Sequence, residues 1–165
     1  MKTMPLFAFG AVLALAAAAA FPAAPNIYPA PESARADIAA ALHTAAAGHK
    51  RVILDFGGDW CLDCQVLDRY FHDAQNQPIV KANYVVVHVN IGQMDANVDL
   101  ARRYGIPLRK GVPALAVLSS AGKVLYSQTG GEFEDMRNLE SPALTRFLMR
   151  WKPTRPGCSV VNSNC

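Results

Sequence analysis

A chain of 165 residues, 52% of them hydrophobic and 18% charged, can bury one domain core and is too apolar to be disordered throughout. The formal charge of +3 is scattered along it. Its one local cluster, Arg102, Arg103, Arg109 and Lys110, reads as a solvated helix end and loop, which disfavours nucleic acid as a partner.

From the N-terminus, Lys2 precedes an uncharged stretch, Pro5 to Phe21, rich in alanine, leucine and phenylalanine. That is the pattern of a signal peptide over residues 1–24, with Ala18 and Ala20 as an A-x-A cleavage site. The alternative is an uncleaved membrane anchor, since about 20 apolar residues span a bilayer, although alanine contributes little to insertion. Either way the rest of the chain is expected to be periplasmic or secreted. No cysteine follows at a lipobox position. Pro22 to Glu32 carries four prolines and no periodicity, so residues 25–32 are expected to be a linker into a domain spanning 33–152.

Ala34, Ile38, Ala41, Leu42 and Ala45 recur at helical spacing, with Ser33 as cap and Gly48 as stop. Arg51 to Phe56 is a short apolar run with β-branched residues, the pattern of a strand buried on both faces. After the glycines, Leu62, Val66, Leu67, Tyr70 and Phe71 predict a helix from Cys61 to about Asp73. Tyr84 to Asn90 reads as a second strand, and Asp95 to Tyr104 as a helix closed by Gly105. Pro113 to Leu118 and Lys123 to Gln128 are two further strands, joined by the hairpin signal Ser119-Ser-Ala-Gly122. A last helix starts at Ser141-Pro142 and runs through Leu144, Phe147, Leu148 and Trp151. Strands separated by helices are expected to run parallel and the late hairpin antiparallel. The fold class is therefore α/β, with a mixed sheet of about four strands covered by helices on both faces.

Four cysteines form two close pairs, Cys61 with Cys64 and Cys158 with Cys165, which in an exported chain favours disulfides. The polar tail, residues 153–165, is expected to close a small structural disulfide between Cys158 and Cys165. The first pair lies at a strand-to-helix turn. A thiol attacks only as thiolate, and the free N–H groups of a helix N-terminus carry the equivalent of about half a positive charge that favours it. Cys61 is thus the expected exposed nucleophile and Cys64, a turn further in, the hidden resolving thiol. Asp55, at the end of the buried strand and without an evident cationic partner, is the expected proton acceptor for Cys64.

Asp59 and Asp63 oppose ionisation of Cys61 and so favour the reducing direction. No second C-x-x-C or H-x-x-x-H accompanies the pair, which disfavours zinc. His43, His49, His72 and His88 are dispersed and are expected to be surface or packed residues. Copper held by the two thiolates alone is the remaining metal alternative.

A buried strand ending in Asp55-Phe, then Trp60-Cys61-x-x-Cys64 opening a helix, and a distant Gly111-Val-Pro113 before a strand, together resemble the thioredoxin superfamily. The resemblance runs from about Arg35 to Lys152. It implies a cis bond before Pro113, with Trp60, Val112 and Pro113 facing the substrate chain. Leu54 to Cys64, with Asp68 beyond, is most similar to the C-terminal periplasmic domain of the thiol-disulfide interchange protein DsbD, which has acidic residues at positions equivalent to Asp55 and Asp68. Asp68 thereby joins Asp59 and Asp63 as a tuning residue.

The implied activity is an exported thiol-disulfide oxidoreductase, acting as a monomer on exported proteins with disulfides. It would use no cofactor beyond its own disulfide, and a membrane-embedded electron donor would be a separate polypeptide. A thiol oxidase or isomerase, a copper-binding metallochaperone and a permanent structural disulfide are the competing readings. The sequence departs from the family in the long Ile106 to Gly111 connection, which could bring Arg109 and Lys110 to the groove, and in Ala114, where threonine is common.

Overall fold

A computed structural model describes residues 26–154. After a 3-10 turn at Pro31–Ser33 the elements are α1 Ala34–Ala47, β1 Arg51–Gly57, α2 Leu62–His72, α3 Gln77–Asn83 and β2 Tyr84–Asn90. There follow α4 Val98–Arg103, β3 Ala114–Leu118, β4 Val124–Ser127 and α5 Ser141–Trp151. The four strands stand in the order β2-β1-β3-β4.

Strand alternation sorts the core into two layers, because successive side chains point to opposite faces. Val52, Leu54 and Phe56 of β1, Val87 and Val89 of β2, and Ala114 and Ala116 of β3 meet α1 and α4 on one face. Ile53, Leu115 and Val117 meet Val66, Leu67 and Phe71 of α2 and Leu144 and Leu148 of α5 on the other. By the same alternation Asp55 points to the α2 side, where an apolar residue would be expected. The parallel register sets Asp55 of β1 opposite His88 of β2.

The mixed sheet of four strands, with helices on both faces, matches the sequence reading. Three details differ. β3 runs antiparallel to β1, although a helix separates β2 from β3. The six-residue α4 rises about 9 Å whereas the seven-residue β2 spans about 23 Å, so the crossover does not carry the chain back to the start of the sheet. Instead the chain turns at Gly111, where φ is 107°, and enters β3 through a cis Val112–Pro113 bond.

The second difference is α3, a segment in which the sequence shows no helical period. Its only apolar anchors, half-buried Ile79 and Val80, are too few to show a period. The segment is held instead by Asn76, whose side-chain amide donates to the Tyr70 carbonyl and Ser141 Oγ and whose carbonyl accepts from Thr145 Oγ1.

The third concerns residues 25–32. From Ile27 onwards the expected linker is packed against the domain, with Tyr28 buried among Cys61 and Cys64. The Ile27 and Tyr28 amides donate to Asp59 Oδ1 at 2.8 and 3.2 Å, and Asn90 donates to the Pro29 carbonyl at 2.9 Å. Cys158 and Cys165 lie outside the described residues, as does the expected signal segment. Among the described residues no helix is long and apolar enough to cross a membrane.

Candidate active site

Cys61 is the N-cap of α2, with extended backbone (φ −87°, ψ 109°), and its sulfur accepts the Cys64 amide at 3.1 Å. The first-turn amide is thus aimed at the sulfur, which places the positive end of the helix where a Cys61 thiolate would form. The two sulfurs are joined as a disulfide. Cys61 is 6% exposed and Cys64 fully buried. Cys61 is the less buried of the two, yet it is enclosed and not the exposed residue that the sequence suggests, because Tyr28, Ile27 and Val112 pack around the pair.

The cis-proline turn comes to the same sulfur: the Val112 carbonyl oxygen lies 3.5 Å from Cys61 Sγ. Trp60 projects beside it, 45% exposed, with its indole N–H donating to the Gly92 carbonyl at 2.6 Å. Leu62, 57% exposed, adds a second apolar side chain at the rim. Trp60, Cys61, Val112 and Pro113 are therefore brought to one end of the sheet.

Asp55 is fully buried and is not without a cationic partner as its sequence context suggested. Its Oδ2 accepts the Tyr28 hydroxyl at 2.7 Å and stands 2.9 Å from His88 Nδ1, whereas its buried Oδ1 has no partner. The other side of the His88 ring faces Asp68, Nε2 to Oδ1 at 3.6 Å. Burial opposes protonation of His88, yet the hydrogen bond and charge of Asp55, followed by the charges of Asp68 and Asp59, together raise its pKa above the ordinary value. Burial, then the charge of Asp55, hold the Tyr28 phenol well above its ordinary range, so it remains a donor.

Gly57 explains how the phenol reaches this spot. A β-carbon there would stand 2.5 Å from the Tyr28 hydroxyl and 2.7 Å from Cys64 Sγ, so these atoms flank the same point above the glycine.

Asp59 and Asp63 are less free than their positions in the sequence implied. Asp59 accepts the two amides of the leading segment. Asp63 Oδ1 accepts the Arg137 amide at 2.9 Å, and the Arg137 Nε lies 3.0 and 3.1 Å from its two oxygens. Both carboxylates remain near Cys61, but their charge is partly absorbed by these donors. Arg109 and Lys110 form a 3-10 turn directly before the cis-proline turn. His43 and His49 take no part in the site, whereas His72 touches Asp68, Nδ1 to Oδ1 at 3.4 Å. Among the described residues no group of three His, Cys, Asp or Glu side chains is arranged to hold a metal ion.

Tyr28, His88 and Arg137 are the residues that sequence reasoning missed. The apolar pair Ile27-Tyr28 inside a proline-rich stretch is a signal for the first, and the face shared by Tyr84, Val86 and His88 for the second. Arg137 lies in a segment without periodicity and leaves no signal.

A family model described as Thioredoxin-like matches residues 33–120. Among solved structures, a disulphide isomerase from Xylella fastidiosa Temecula1 is 31% identical, with 78% of this chain and 98% of that one covered and a TM-score of 0.73. The DsbD c-terminal domain of Neisseria meningitidis in the reduced form is 21% identical, with 70% and 95% covered and a TM-score of 0.51. A DsbH oxidoreductase is also 21% identical, with 69% and 82% covered and the same TM-score of 0.51. These two likenesses are of fold alone. No curated protein matches the sequence.

Proposed function

Since the chain belongs to the thioredoxin-like family and carries its Cys-x-x-Cys disulfide, we propose that this thiol-disulfide oxidoreductase works as a reductase of disulfides in exported proteins. The observation that carries the reading is the arrangement at one sulfur: Cys61 caps α2 and faces the Val112 carbonyl, 3.5 Å away, next to the cis Pro113. A Cys61 thiolate is favoured there by the helix N-terminus, and an extended substrate backbone can lie along Val112 and Pro113 with Trp60 beside it.

Cys61 attacks a substrate disulfide and forms a mixed disulfide, releasing one substrate thiolate. Cys64 then gives its proton to Asp55 and attacks Cys61 Sγ. The bond between Cys61 and the substrate breaks, the second substrate thiolate leaves, and the dithiol has passed two electrons. Asp55, Asp59, Asp63 and Asp68 all lie within six residues of the pair along the chain, with Arg137 and His88 as the partners described above, and this acidic setting supports the reducing direction. Export rests on the apolar N-terminal stretch with its A-x-A site. A membrane-embedded protein is the class of electron donor that the DsbD resemblance suggests.

Trapping tests the reading. A Cys64→Ser variant in exported extracts should accumulate mixed disulfides that dithiothreitol releases and that a Cys61→Ser change abolishes; their absence would overturn it. The 31% identity to the Xylella disulphide isomerase favours a second reading, reshuffling of disulfides by the same pair. In that case the mixed disulfide persists with Cys64 intact, because Cys64 resolves it slowly.

A further inference from the structure

A proton that Asp55 takes from Cys64 arrives in a fully buried place, and one group beside it leads outward. The His88 ring lies between two carboxylates. Its Nδ1 meets Asp55 Oδ2 at 2.9 Å, and its Nε2 faces Asp68 Oδ1 at 3.6 Å, a gap that a small side-chain shift or one bridging water closes. Asp55 is fully buried, whereas Asp68 is half-buried and touches the exposed His72. His88 and His72 also line a common cavity of about 370 Å³. Asp55 Oδ1, the oxygen free to receive a proton, is the one without a partner.

We infer that His88 is the proton outlet of this active site, exporting through Asp68 and the cavity one proton for each that Asp55 takes from Cys64. The inference rests on the reductase reading above, in which Asp55 accepts the Cys64 proton. At the start Asp55 is ionised and His88 is an imidazolium donating from Nδ1 to Asp55 Oδ2. The Cys64 proton then moves to Asp55 Oδ1, the Cys61–Cys64 bond forms, and the bond from Cys61 to the substrate sulfur breaks. The substrate thiolate leaves with the electron pair.

Neutralising Asp55 removes the charge that held the imidazolium, and burial now favours the neutral ring. The Nε2 proton passes to Asp68 and on to water, while the hydrogen bond from Nδ1 to Oδ2 stays in place. Proton entry and exit thus use different atoms, and no side chain has to turn.

The other charged groups around His88 are of both signs. Asp59 adds negative charge, and the Tyr28 ring packs edge-on at 5.2 Å while its hydroxyl occupies Asp55 Oδ2. Lys50 and Lys81 line the cavity with His88, and Asp37 of α1 lines the groove on its other side.

His88 acts through Asp55 and Asp68 and is a positioning residue, so the test reads protons. The reduced protein is mixed with a nitrobenzoate disulfide, whose thiolate stays ionised and coloured near pH 6.5, in weak buffer with a pH indicator. The native protein should release about one proton per Cys61–Cys64 disulfide closed, in step with the second thiolate. His88→Asn keeps an amide donor near the Nδ1 position but has no proton to pass, and His88→Gln keeps one near Nε2. Both should release the first coloured thiolate through Cys61, with whatever proton Cys61 carries, which reports an intact site, yet release less than about half a proton in step with the second thiolate. Proton release equal to native in either variant would overturn the inference. Failure of the native protein to release thiolate through Cys61 would instead overturn the reductase reading.

Discussion

Tyr28, Asp55 and His88 meet at one carboxylate oxygen, and each constrains the others. Tyr28→Phe removes a buried donor from Asp55 and should lower stability by about 1 kcal/mol in urea unfolding. Mixed-disulfide formation by Cys61 should be unaffected, and a loss of trapping in this variant would show that the phenol also shapes the entrance. Gly57→Ala is the more severe change, because its methyl group would need space already taken by the Tyr28 hydroxyl and Cys64 Sγ. Overpacking of this kind costs about 1–3 kcal/mol. It should also slow resolution by Cys64 more than attack by Cys61, a split that single-turnover kinetics measures. At this scale Cys61, Cys64 and Pro113 were legible because their motif spacing is local. The partners of Asp55 were not, since Tyr28 is 27 residues before it and His88 33 residues after it.

Helix α2 carries the site, and the 3-10 turn Met136–Asn138 braces its first turn through Arg137 and Asp63. That contact weakens the contribution of Asp63 to the tuning expected of Asp59, Asp63 and Asp68 together. Arg137→Ala leaves the Asp63 charge uncompensated two residues from Cys61 and should disfavour the thiolate. The pH profile of Cys61 alkylation should then shift upward; a downward shift would show that Arg137 does not act by charge. The elements that escaped the sequence reading share a physical cause. Helix α3 is held by the polar side chain of Asn76 rather than an apolar stripe, and the direction of β3 depends on how far the short α4 carries the chain. Neither quantity is written in a local pattern, whereas β1, β2, α1 and α5 announce themselves by periodic burial.

For the whole molecule, the His88 pair with Asp55 ties stability to pH. The pKa of His88 is raised in the folded state because Asp55, Asp68 and Asp59 outweigh burial. A raised value contributes stability that is complete below the unfolded value of about 6.5 and is lost as pH climbs through the folded one. The gap in urea midpoint between the native protein and His88→Asn should therefore narrow from pH 6 to pH 9, and a gap that widens with pH would contradict the ion pair. The packing of Ile27 and Tyr28 onto the pair also means that the catalytic unit begins before the family-matched residues 33–120.

The direction of electron flow is set by the reduction potential of the Cys61–Cys64 couple, which equilibration with glutathione measures. The acidic surroundings of the pair predict a value below about −200 mV, in the range of reducing thiol proteins. A value near about −120 mV, that of strong oxidants, would contradict it.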